Sequence, residues 1–277
     1  MRVLLLAGLL LACLAAARSN AHTKQIDGSN IPRVFSQVAQ HIAKHYPSRV
    51  VSYNADDVHA HVALDDAVRN HRSAEQGWVN PETHGGSMLD LVGNGFREPM
   101  NVIISGKSDP SVLSDKGLLD YVRSIGFSFE CLHIHLGGLQ RSNLGDGAGW
   151  KAQLFEYRSL MFPKSLGVWV GSCWESLAGG NHFRVWRQNG TEADTGAWFL
   201  AVSKEENVAH KHTIVPNGYD IGRDLLVQAA TKGSELFGKR YTASVDWQEG
   251  LLAEGANSIN HNISIDGRVA VLTVQRV

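Results

Sequence analysis

Apolar positions along this chain recur with two periods. Val34, Phe35, Val38 and Ile42 fall at helical spacing, with Pro32 ahead of them and Pro47 behind, which predicts a helix over residues 30–46. RVVSY, from Arg49, predicts a short strand, and the polar, glycine-rich passage 74–97 predicts loop. From Met100 the pattern sharpens. MNVIISG predicts a buried strand, Leu118, Leu119, Val122 and Ile125 a helix over 111–125, and FSFECLHIHL a second strand. The glycines of GGLQRSNLGDGAGW then predict that no regular element survives there.

The last third predicts strands near 168–173, 181–187, 197–203 and 210–215, then a helix, then strands near 241–247 and 268–276. That helix has Asp220 at its N-cap, Leu225, Leu226 and Ala229 on one face, and Gly233 as its stop. No internal repeat or low-complexity linker interrupts the chain. The predicted fold class is α+β: a mixed, mainly antiparallel sheet with a few packed helices in a single domain over 96–277, preceded by a helical, loop-rich segment over 22–95.

The first residues change where such a domain is expected to work. MRVLLLAGLLLACLAAARSNA has the basic start, short apolar run and small-residue cleavage sites of a secretory signal, cut near residue 17 or 21. The expected location is secreted and extracellular, with no transmembrane span in the mature form. Removing Cys13 leaves Cys131 and Cys173, which predicts one disulfide in an oxidising compartment. Asn189-Gly-Thr and Asn262-Ile-Ser are candidate glycosylation sites. A formal net charge of −1 supplies no global basic field, so nucleic acid is not an expected partner.

Histidine supplies the candidate metal chemistry. His59/His61, His133/His135 and His210/His212 are His-x-His pairs, and on a strand two such rings face the same side, where they could share a divalent metal ion. His133, His135 and His210 are the candidate ligands. An N-terminal His22, exposed by the second cleavage, could also chelate copper. There is no G-x-S-x-G nucleophile elbow, and GDGAGWKA lacks the Gly-Lys-Ser/Thr of a phosphate loop.

The run NHFRVWRQNGT separates into two faces, Phe183 and Val185 on one, His182, Arg184 and Trp186 on the other. With HKHTIVPNGYDIGRD it predicts a polar pocket of His182, Arg184, Trp186, His212, Asp220, Arg223 and Asp224. In that pocket the two arginines would contact an anion, Trp186 would stack, and the histidines would donate or accept. The competing readings are an N-cap role for Asp220 and a salt bridge from Arg184 to Asp224.

These same residues carry a resemblance. GGNHFRVWRQNG, FLAVSKEENV, IVPNGYDIGRD and SINHNIS resemble a family of small secreted fungal proteins without an assigned reaction, over most of the chain after about residue 95. More loosely, residues 100–250 are similar to the LssY-type C-terminal domain of bacterial proteins. Its His-x-Arg-x-Trp strand matches His182, Arg184 and Trp186, and its second segment matches His212, Pro216, Asp220, Arg223 and Asp224. Gly222 departs from the acid usual there.

The expected function is an extracellular protein binding a small anionic or sugar-like ligand, or a surface glycan. A metal-dependent or histidine-based hydrolase, and a non-catalytic structural or interaction protein, are the alternatives. The sequence leaves open whether the protein is an enzyme.

Overall fold

The computed structural model describes residues 51–52, 77–131, 134–135, 138–160 and 172–277. The signal segment, the helix predicted over 30–46, His22, His59, His61, His133 and most of the strand predicted over 168–173 lie outside the described residues.

The strands are β1 (Val51–Ser52), β2 (Val102–Ile104), β3 (Phe127–Phe129), β4 (Ile134–His135), β5 (Arg141–Asn143), β6 (Trp150–Ala152) and β7 (Phe155–Ser159) in the first part of the chain. After them come β8 (Gly180–Asn189), β9 (Asp194–Glu205), β10 (Ser234–Leu236), β11 (Lys239–Gln248) and β12 (Val269–Arg276). The helices are α1 (Asp115–Ser124), α2 (Cys173–Ala178) and α3 (Gly218–Thr231). Eight strands form one sheet in the order β10-β11-β12-β2-β9-β8-β7-β3. Only β12 and β2 pair in parallel within it. This is the expected mixed, mainly antiparallel α+β architecture.

The sheet has an apolar core on each side because its central strands alternate two apolar sets. Phe183, Val185, Leu200 and Val202 face Leu118, Tyr121 and Val122 of α1 and Leu226, Val227 and Ala230 of α3. Ile103, Trp186, Phe199, Ala201 and Val271 face the opposite way, under Met88, Met100, Leu252 and Ile265. Burial of each large side chain contributes about 1.5–3 kcal/mol, so both layers add to stability. Helix α1 starts where the Ser114 hydroxyl accepts from the Gly117 amide, and it buries Leu118, Tyr121 and Val122 at helical spacing.

Several expectations are corrected. The strand-helix-strand unit exists as β2-α1-β3, but β9, β8 and β7 lie between its two strands in the sheet. FSFECLHIHL is not one strand: β3 ends before Cys131, and β4 pairs separately with β1. The glycine-rich run does hold regular structure, the β5-β6 hairpin. Buried Asp146 closes its loop by accepting from Ala148 N at 3.1 Å and binding Lys151. Cys173 opens helix α2 and does not sit in a strand.

The strand predicted over 210–215 is also absent. A 3-10 turn, Val208–His210, is followed by Lys211 and His212 at φ 60° and 55°, which a strand cannot contain. Asn217, at φ 57°, caps α3, so Asp220 lies inside the first turn and is not the N-cap. Strand β7 was not anticipated. Its charged residues Glu156 and Arg158 alternate with Phe155 and Tyr157, which is strand periodicity with charges on a buried face.

Candidate functional site

Strand register assembles a charged cluster on the Trp186 side of the sheet. Glu156 on β7 stands opposite Arg184 on β8, and Arg158 stands opposite His182. Arg184 donates to Glu98 at 3.1 Å and pairs with Glu156 at 3.2 Å. Arg158 reaches Glu156 and Glu205 at 2.6 Å each, and Glu175 at 3.4 Å. The Gln140 amide is satisfied when its oxygen faces Arg184 and its nitrogen faces Glu98 and Asp90. Asp90, Glu175 and His182 are fully buried, and Glu98, Glu156 and Glu205 nearly so. The face that His182 and Arg184 share is therefore neither wet nor an open floor; it is the interior of an ion-pair network.

His182 sits at the centre. Arg184 Nη1 lies 2.9 Å from His182 Nε2, and a guanidinium only donates, so Nε2 accepts and the ring proton resides on Nδ1. Nδ1 faces Glu205 Oε1 at 3.4 Å and Ser203 Oγ at 3.3 Å. Burial lowers the His182 pKa, which agrees with a neutral ring. With its free lone pair occupied by Arg184 and its ring sealed, His182 has no vacant base position to offer a substrate.

The carboxylates divide by what surrounds them. Burial would raise Glu156, but Arg184 and Arg158 outweigh it and hold the carboxyl at about 2. Glu205 is likewise held well below the usual range, because the Arg158 guanidinium at 2.6 Å, with the Nδ1–H of neutral His182 beside it, outweighs its burial. Burial raises Glu175 to about 7, since one arginine at 3.4 Å compensates it less. Burial and the neighbouring Glu98 charge also raise Asp90 well above the ordinary carboxylate value. Glu175 is placed here by the Cys131–Cys173 disulfide, which spans a separation of 42 residues and joins the end of the β3 segment to the start of α2.

The remaining predicted site residues are distributed around this cluster. His212 joins it through Nδ1, 3.4 Å from Glu205 Oε2. His210 points elsewhere, 67% exposed and 4.0 Å from Glu206. The two rings therefore lie on a turn and do not share a strand face. Trp186 is 1% exposed within the second apolar cluster, so its ring has no open face for stacking. Among the described residues no three His, Cys, Asp or Glu side chains are arranged to hold a metal ion; for His135 only the backbone, in β4, is described.

Arg223, Asp220 and Asp224 form a second, separate cluster. Arg223 grips Asp266 with both nitrogens at 2.6 and 2.8 Å, and donates to Asp224 at 2.9 Å and to the Arg268 carbonyl at 2.9 Å. Its guanidinium stands over Trp247, 5.1 Å from the ring centroid. Asp220 accepts from the Asp266 amide at 3.2 Å. None of these partners is shared with Arg184, whose carboxylates are Glu98 and Glu156 rather than Asp224. Both arginines already hold carboxylates, which leaves neither as an open anion contact.

Open space lies nearby. A cleft of about 420 Å³ runs between Thr213, Ile214, Pro216 and Asn217 on one side and His261, Asn262, Ile263 and Ser264 on the other. Seven described non-glycine residues have positive φ: Lys211, His212, Asn217, Phe237, Ser258, His261 and Asn262. Five of them, all but Phe237 and Ser258, lie in the cleft walls or in the two residues that lead into Thr213. The first wall is tied to the charged cluster. Glu205 bridges Ile214 through the backbone, Glu206 N donates to Thr213 O at 2.8 Å, and Val215 N to Lys204 O at 3.0 Å.

The sequence reading missed Glu98, Glu156, Arg158, Glu175 and Glu205 in the cluster and most of the cleft. For Glu156 and Arg158 the alternation of LFEYRS was an available signal. Comparison of the chain with family models, with curated proteins and with solved structures finds no match in any of the three.

Proposed function

We propose that this chain is a secreted extracellular protein that binds a sugar-like ligand in the cleft between residues 213–217 and 261–264. The observation that carries the reading is the positive-φ, non-glycine backbone of Asn217, His261 and Asn262 on that cleft's walls, with Lys211 and His212 leading into one of them. Such conformations are costly and gather at functional sites. The volume of about 420 Å³ falls within the range of small-molecule sites.

The lining selects the ligand class. Thr213, Asn217 and Ser264 supply hydroxyls and an amide, Ile214, Pro216 and Ile263 an apolar surface, and no Lys, Arg, Asp or Glu is in the lining. A neutral polyhydroxyl compound matches that mixture better than an anion does. The buried His182–Arg184–Glu205 cluster supports the site by anchoring one wall. In this reading the motifs that resemble the LssY-type domain are folding clasps, one around Arg184 and one around Arg223, rather than ligand contacts.

Saturation-transfer NMR on the full-length secreted product tests this, with N-acetylglucosamine and cellobiose as probes and inorganic phosphate as comparator. Signal from either sugar, lost in Asn217→Ala and Ser264→Ala and not competed by phosphate, is expected. Absence of transfer from both sugars, or transfer unchanged in both variants, overturns the assignment. N-terminal mapping of that product tests secretion separately.

A further inference from the structure

The β10-β11 hairpin turns through two residues, Phe237 and Gly238, because Leu236 pairs with Lys239. Their φ angles are 49° and 73°. Two positive φ values in a two-residue hairpin loop are those of a type I′ turn, whose first position favours Asn, Asp or Gly. Phenylalanine there is strained, and it is also 68% exposed. Local conformation and burial both disfavour an aromatic at this position, and such a double departure marks a residue kept for an external contact.

The surroundings indicate the contact's charge. Lys116, Lys239 and Arg240 lie beside the hairpin with Asp120 and Glu235, three cations against two anions, while the whole chain has a formal net charge of −1. Arg240 is 71% exposed and Lys116 73%. At Gly238 the tip faces open space, and it belongs to the edge of the eight-stranded sheet. A protein partner needs about 800 Å² of matching surface on each side, whereas a lipid interface accepts a single projecting ring ringed by cations.

We propose that this hairpin tip docks the protein on an anionic lipid surface, with Phe237 entering the interface and the neighbouring cations facing lipid phosphates. Docking is independent of the sugar cleft.

Co-sedimentation of the full chain with large unilamellar vesicles tests it, using phosphatidylcholine alone and phosphatidylcholine with phosphatidylserine at low salt. The wild type is expected to sediment with the anionic vesicles and to remain in solution with the neutral ones. Phe237→Asn suits the turn, so its Tm is expected to match or exceed the wild type while its vesicle affinity falls about tenfold, the effect of losing one inserted aromatic. Phe237→Gly, which also accepts positive φ, repeats that arm, and Arg240→Gln, at a 71% exposed cation, is expected to weaken binding at nearly unchanged Tm. No wild-type sedimentation, equal sedimentation with both vesicle types, or undiminished binding by the Asn and Gly variants overturns the proposal.

Discussion

Arg158 Nη1 donates to Glu205 Oε2 at 2.6 Å, and through that one carboxylate it reaches both histidines of the cluster. The other oxygen, Oε1, faces His182 at 3.4 Å, while His212 lies 3.4 Å from Oε2. Strands β7 and β8 and the segment from the end of β9 into the turn before the cleft therefore meet at a single guanidinium.

Replacing Arg158 with Ala should leave Glu205 buried without an arginine and Glu156 with Arg184 alone. The expected cost is about 3–5 kcal/mol, measured as a shift of the urea midpoint at pH 7. Arg158→Lys, which keeps the charge but loses the forked geometry, should fall between.

Glu175 sets an unusual pH dependence. Its carboxyl is raised to about 7 by burial, above its value in the unfolded chain. A raised acid contributes stability that is fully present below the unfolded pKa and lost as pH rises through the folded one, a loss of about 3 kcal/mol for this shift. Glu156, held at about 2, acts in the opposite sense: its contribution is present above the ordinary carboxylate range and lost as pH falls towards 2. These two carboxyls together favour mildly acidic pH, whereas His182, kept neutral by burial, costs stability as pH falls below its unfolded value. Glu175→Gln should raise Tm at pH 8 and leave it nearly unchanged at pH 5.

Arg184 and Arg223 share no partner, so they should not couple energetically. A double-mutant cycle with Arg184→Met and Arg223→Met is expected to be additive within about 0.5 kcal/mol of unfolding free energy. A larger coupling would mean that the two clusters act as one.

The Cys131–Cys173 bond closes a 42-residue separation and should contribute about 4 kcal/mol in the chain-entropy description. Cys131→Ser with Cys173→Ser should lower Tm. The loss should exceed that of Glu175→Gln at pH 5, because the bond holds the whole start of α2 and not only the carboxylate.

Ser114 caps α1 by accepting from Gly117 N. Ser114→Ala should cost about 1 kcal/mol, read from the same urea transitions.

Local periodicity determined much of this protein: the α+β class, the long strands β8, β9, β11 and β12, helices α1 and α3, and the disulfide pairing. Those features are legible because apolar spacing and cysteine count report on short-range geometry. Phe183 and Val185 had to face opposite to His182 and Arg184 in any strand. What that second face met was undetermined, because its cover arrives from elsewhere. Glu98 lies 86 positions before Arg184 and Glu205 lies beyond the β8-β9 turn. Only the tertiary structure decided that His182 is sealed and neutral, that Arg184 and Arg223 belong to different clusters, and that His210 and His212 stand on a turn. The physical reason is that a charged residue at strand spacing reads the same whether water or a distant counter-ion neutralises it. Burial and long-range pairing, which no local pattern encodes, separate the two cases.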